Sequence, residues 1–235
     1  MAIYMWREEP DELCFTANTA WSTVQLTKTW NPTVVTLETS RDGSTRTTYT
    51  AWNTITLSNI WDKVYFRNTS ESTTAFSISS SSFYRFVMTW SIAASGDVNY
   101  LINKNSTDTL VWQYTYNWLF VWCSQLTSAP KLPATTLTEY CYILMFQNCS
   151  NLETIPEIPA LVLPTQCCRV MFNGCTKIKL STTQTWEYQT PYRIPTTWTW
   201  TDSWNALLDM FFSTWWTFTW TPTINTTYYT SNQVI

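Results

Sequence analysis

The chain has 235 residues, of which 12% are charged, with a net charge of -3 and no histidine. That length holds one large domain or two small ones. The acidic balance and the lack of a basic stripe argue against a nucleic-acid partner. The missing histidine removes the commonest general base, the Ser-His and Cys-His nucleophile pairs and His-containing metal sites.

Taken in chain order, residues 1–14 read as an N-terminal tail. Its first ten residues have no apolar core, so no signal peptide is expected, and no apolar run approaches the ~18 residues of a membrane span. Glu8, Glu9, Asp11 and Glu12 form an acidic run, read as solvated rather than as a cation site. Residues 15–90 alternate in short strands, at 23–28, 34–40, 45–50, 54–58, 63–68, 75–79 and 84–89, with turn signals between them; this predicts an Ig-like β-sandwich. Arg41-Asp42-Gly43-Ser44 marks a hairpin turn with Gly where a positive φ is needed. Residues 91–118 read as a junction and cap, with a further turn at Ala94-Ser95-Gly96-Asp97.

The turns of this half carry the most unusual feature of the composition, 16 Trp against 3 Gly. Average usage would place roughly 16 Gly in a chain of this length. Trp21 precedes Ser22, Trp30 Asn31, Trp52 Asn53, Trp61 Asp62, Trp90 Ser91 and Trp204 Asn205. These are glycine contexts, where a bulky side chain is disfavoured at φ > 0. One reading is that many of these positions are glycine in the living protein, through a source that decodes UGA as Gly. The other is a genuinely Trp-rich binding protein. The first predicts Trp side chains exposed at turns with positive φ; the second predicts buried rings bonded through Nε1.

Residues 119–235 contain a 26-residue repeat. Phe120, Phe146 and Phe172 recur at that spacing, as do Cys123, Cys149 and Cys175, and Leu126, Leu152 and Ile178. Pro130 matches Pro156, Leu137 matches Leu163 and Cys141 matches Cys167. The residue before each repeat Cys is Trp122, Asn148 or Gly174, and Gly and Asn are the residues that tolerate the left-handed conformation. Each unit reads as a short helix, residues 138–147 in the middle copy, then an extended segment through Leu152, Ile155 and Ile158. A degenerate fourth copy, with Phe212, Trp215, Phe218 and Pro222 in the roles of Phe146, Cys149, Leu152 and Pro156, follows an insertion near 181–201. Residues 197–204 read as a flexible loop with no Lys to meet a phosphate.

The segment Phe146-Gln-Asn-Cys149-Ser-Asn-Leu152-Glu-Thr-Ile155-Pro156 resembles the BspA-like leucine-rich repeat, and Phe172-Asn-Gly174-Cys175-Thr-Lys-Ile178 is similar to the same pattern. The resemblance implies an α/β leucine-rich-repeat solenoid and a role on a cell surface, in adhesion to hosts or neighbours; similar β-domain-plus-repeat chains are associated with phage. The expected architecture is thus an α+β chain of two domains, an N-terminal all-β sandwich followed by a short α/β leucine-rich-repeat solenoid.

Seven cysteines leave two readings open, a ladder of small buried residues and disulfides between stacked units. With no Cys-x-x-Cys spacing, no zinc site is expected. No catalytic residue and no cofactor is nominated. The variable polar positions of the repeat, Thr127, Lys131, Glu153, Glu157, Lys177 and Lys179, are the candidate binding residues. The expected function is non-enzymatic binding to a cell-surface protein or glycan, by a phage virion or host-range accessory protein or by a bacterial surface adhesin. A carbohydrate-binding module is the alternative if the Trp residues are genuine. Further partners are a second copy of the chain or virion neighbours, with no nucleic acid and no membrane insertion; the expected location is the virion, or the extracellular space and cell surface.

Overall fold

The computed structural model describes residues 11–30, 34–195, 201–203, 205–214 and 221–235. Eight strands form the first half: β1 Leu13–Ala17, β2 Ser22–Lys28, β3 Leu37–Ser40, β4 Thr47–Tyr49, β5 Thr54–Leu57, β6 Lys63–Asn68, β7 Tyr84–Thr89 and β8 Ile92–Ser95. They make one sheet in the order β4-β3-β6-β1-β8 and a second in the order β5-β2-β7. Alternation along β2 sends Val24 and Leu26 inward, as period-2 geometry requires. Between the sheets, Phe86 of β7 meets Phe15 of β1 at 4.7 Å and Phe66 of β6 at 5.4 Å. Tyr49 ties the sheets together: its hydroxyl accepts from the Leu26 N–H at 2.8 Å and donates to the Asn53 carbonyl at 2.7 Å.

Two strands lie outside the stretches marked by alternation. In β1 four of five residues are buried, which hides the period. β8 follows directly on the Trp90 turn. The expected strand at 75–79 is irregular; Phe76 is nevertheless fully buried, and the Ser77 hydroxyl accepts from the Tyr84 N–H.

The turns have a uniform chemistry. Within residues 11–97 the described residues of positive φ are Trp21, Trp30, Trp52, Trp61, Trp90, Gly43 and Gly96. Two more, Trp118 and Trp122, lie further on, so seven of the nine described Trp are left-handed. That conformation costs a side-chain-bearing L-residue about 1–2 kcal/mol. Seven such positions total on the order of 10 kcal/mol, the size of a whole domain's net stability.

The second half begins with a 3-10 turn at Val98–Leu101, capped by the Asp97 carboxylate accepting from the Asn99 N–H. Its strands are β9 Leu126–Ser128, β10 Thr154–Ile155, β11 Val162–Leu163, β12 Leu180–Ser181, β13 Thr190–Arg193, β14 Thr201–Asp202, β15 Thr227–Thr230 and β16 Gln233–Val234. β9 pairs parallel with β8 and so extends the first sandwich sheet to six strands. β10 pairs with β16, β11 with β14, and β15 lies between β12 and β13.

This overturns the expected α/β leucine-rich-repeat solenoid. Among the described residues there is no α-helix, and the strands of successive units are split among short separate sheets. Residues 138–147, expected to be helical, lie in a stretch of consecutive tight turns instead. Tyr140, Leu144 and Asn148 have positive φ, and the pattern recurs at Gln166, Val170 and Gly174 and at Asn205, Asp209 and Ser213. A left-handed residue every fourth position cannot lie in a right-handed helix. The hydrogen bonds run accordingly. Tyr142, Leu144, Phe146 and Asn148 donate to the carbonyls of Cys167, Arg169, Met171 and Asn173 in the next unit, while Met145 and Cys149 close turns onto Tyr142 and Phe146.

Buried pairs follow the same four-residue step: Cys141 and Tyr142, then Met145 and Phe146, then Cys149. Stacking gives a ladder of rings, with Phe120, Phe146, Phe172 and Phe211 separated by 5.3, 5.5 and 5.3 Å. The fourth rung is Phe211 rather than Phe212, so the last copy sits one residue earlier than its sequence match implies. Trp215 and Phe218 of that match lie outside the described residues.

Candidate functional site

The six candidate binding residues do not form one cluster. Thr127 is in β9, where its hydroxyl donates to the Ile92 carbonyl at 3.2 Å and accepts from the Asn18 amide at 2.9 Å. Glu153, just before β10, takes the Lys177 ammonium at 2.6 Å. Because the Glu153 N–H donates to the Thr127 carbonyl, Thr127, Glu153 and Lys177 lie along successive coils of one face. Lys131 instead pairs with Asp11 at 2.7 Å, and Lys179 reaches Glu187 at 3.7 Å. Glu157 lines a smaller cavity of about 250 Å³ beside Arg193.

Thr127 and Glu153 border an open groove of about 530 Å³, together with Asn18, Ser128, Asn232 and Gln233. Its floor is held by side chains that the 26-residue period does not reach. The Asn232 amide donates to the carbonyls of Glu153 and Lys177, and its oxygen accepts from the Lys179 N–H at 2.8 Å. The Asn18 amide, from the turn after β1, closes the opposite side. Ser128 donates to the Ala94 carbonyl and Thr154 accepts from the Ala129 N–H, so these hydroxyls are fixed in orientation. The groove offers hydroxyls, amides and one ion-paired carboxylate. Asn18 and Asn232 carry no repeat or motif signal; only the fold brings them beside residues 127 and 153.

Among the described residues lining the groove, Glu153 is the one titratable side chain. The seven cysteines are buried and none forms a disulfide. The thiols of Cys123, Cys149 and Cys175 donate to the carbonyls of Phe86, Phe120 and Phe146 at 3.2, 3.0 and 3.0 Å. Burial pushes the Cys123 thiol up to about 12 and raises those of Cys149 and Cys175. Such thiols are poor nucleophiles. Of the two readings left open for the cysteines, the buried ladder is the one that forms.

Of the acidic run, Asp11 is exposed as expected, whereas Glu12 is not solvated. Glu12 is only 4% exposed and holds Arg46 through two 2.7 Å bonds. Glu38 and Arg67 complete a neutral four-membered network around it. Asp97 is buried too, and burial raises its carboxyl even though the Ser106 hydroxyl and the Asn99 N–H both bond to it. Among the described residues no group of His, Cys, Asp or Glu is arranged to hold a metal. Glu8, Glu9 and most of the 197–204 loop lie outside the described residues.

None of the nine described Trp is buried, and Trp30, Trp61 and Trp186 are more than 70% exposed. Two rings make contacts: Trp118 stacks on Phe83 at 5.2 Å, and the Arg85 guanidinium lies over Trp122 at 5.9 Å. Trp21 and Trp30 flank opposite ends of β2, which spans seven residues or about 20 Å at strand rise, so these two rings cannot share one stacking platform. Comparison with protein-family models, curated proteins and solved structures gives no significant match.

Proposed function

We propose that this is a non-enzymatic binding protein whose groove beside β9 and β10 takes a neutral, hydroxyl-rich ligand of a cell surface, with a glycan the best fit. The observation that carries this is the groove's lining: hydroxyls and amides from four parts of the chain, with its one carboxylate already paired to Lys177. Sites for polar ligands depend on such convergent, pre-oriented groups, and a lining without a free charge favours an uncharged partner. The lack of histidine and the buried thiols support a binding role over catalysis. The BspA-like resemblance of the Phe-x-x-Cys signature supports a cell-surface setting, either as a virion or host-range accessory protein or as an adhesin; neighbouring genes for capsid and tail, or for secretion and anchoring, separate the two.

The test is binding of the purified protein to a panel of immobilised surface glycans and to intact cells. Asn232→Ala and Glu153→Ala should weaken binding at least tenfold, and Lys104→Ala, away from the groove, should leave it unchanged. Equal binding by all three variants would remove the groove from the mechanism.

A further inference from the structure

We infer that the protein made in its source carries glycine at positions 21, 30, 52, 61, 90 and 122, where this sequence has Trp, because the codon there is decoded as glycine. The first observation is exclusivity. In residues 11–97, left-handed φ occurs among the described residues only at five Trp and two Gly. Asn and Asp, the usual second choices for that conformation, are plentiful in these turns yet sit beside the Trp rather than at the left-handed position.

The second observation comes from the repeat. Trp122, Asn148 and Gly174 are equivalent positions with φ of 61°, 60° and 75°. At the third of these a Cβ would stand 2.2 Å from the Asn148 side chain, so this position in the stack demands a small or αL-tolerant residue. Trp118 is left out of the claim. Its equivalents are Leu144 and Val170, both at positive φ, so that step of the coil accepts bulk and says nothing about glycine.

The third observation is what the indoles lack. Among the described residues no Trp Nε1 makes a hydrogen bond, and Trp21, Trp30, Trp52, Trp61 and Trp90 make no ring contact and are 57–83% exposed. A functional Trp ordinarily uses its large face or its N–H. Here neither is used, while the backbone of three of them is: the Trp52 and Trp61 N–H groups donate to Leu26 and Ala17, and the Trp30 and Trp52 carbonyls accept from Ser82 and Gln25. What these positions contribute is a backbone bend, which glycine supplies without a side chain. The consequence is that aromatic stacking drops out of the surface chemistry at these six positions.

Two measurements test this. Peptide mass spectrometry of the protein from its source should find the tryptic peptides 47–63 and 86–104 lighter by one indolylmethyl group at each of positions 52, 61 and 90. Peptides with the mass of Trp at these positions would overturn the inference. Independently, a recombinant chain with all six positions changed to Gly should melt roughly 10 °C or more above the chain as written, whereas Trp186→Gly, at a position without positive φ, should not raise the melting temperature. A six-Gly chain that melts lower than the Trp chain would also overturn it.

Discussion

Asp42 holds the turn between β3 and β4. Its carboxylate accepts from the Ser44 and Thr45 N–H groups at 2.7 Å each, and from the hydroxyls of Thr45 and Ser40. These bonds favour the charged form and hold the carboxyl well below the usual range. A depressed folded pKa gives stability that is present above the unfolded value, about 3.9, and is lost as pH falls through the folded one. Denaturant titrations at pH 5 and pH 2.5 should therefore show a steeper acid loss for the natural chain than for Asp42→Ala. Parallel losses would mean the turn gains nothing from the charge. Tyr142 is the opposite case: it is 1% exposed, and its hydroxyl has no partner among the described residues. Since an unsatisfied buried hydroxyl costs about 1–3 kcal/mol, Tyr142→Phe should be neutral or gain about 1 kcal/mol in chemical unfolding. A clear loss of stability would reveal a partner, such as a buried water.

At the scale of elements, the coil of consecutive turns depends on its neighbours. Every second N–H along residues 142–148 is satisfied by the next unit, and those between only close tight turns, so an isolated unit has little to hold it. The aromatic ladder is the other half of that dependence, with Phe146 stacked between Phe120 and Phe172 at interplanar angles of 2° on both sides. Phe146→Ala should cost ~3–5 kcal/mol and Phe146→Leu distinctly less, since most of the volume is kept; urea unfolding reads both. The helix expected at 138–147 failed for a definable reason. Over ten residues a four-residue step and the 3.6-residue helical period place nearly the same positions inside, and only the destination of the N–H groups separates them. β1 was invisible for a different reason, because burial on both faces of Leu13–Ala17 leaves no alternation to read.

At the scale of the molecule, one core runs from Leu13 to Tyr228 without a break. β8 pairs with β9, Phe86 stacks on Phe120 at 5.5 Å, and the Cys123 thiol bonds the Phe86 carbonyl. The sandwich therefore has a face that only the repeat covers. A fragment ending at residue 97 is expected to show no cooperative thermal transition, whereas the full chain unfolds in a single calorimetric peak. A fragment that melts cooperatively near the temperature of the full chain would show the two halves to be energetically separate. Loss of residues 231–235 should also loosen the groove, because Asn232 and β16 hold the carbonyls of Glu153 and Lys177 and the edge of β10. Faster hydrogen exchange at 153–157 is the expected readout.

The amino-acid order by itself determined the 26-residue period, the stacked positions Phe120, Phe146 and Phe172 with Cys123, Cys149 and Cys175, and the turns at Trp21, Trp30, Trp52, Trp61 and Trp90, because each is a local pattern or a spacing. It also excluded histidine chemistry outright. The tertiary structure alone decided whether the apolar runs became helices or stacked turns, because that choice rests on hydrogen bonds between residues about 25 apart. It likewise decided that Glu12 is buried against Arg46 and that Asn18 and Asn232 flank Thr127 and Glu153. Those are encounters between distant segments, and no local periodicity encodes them.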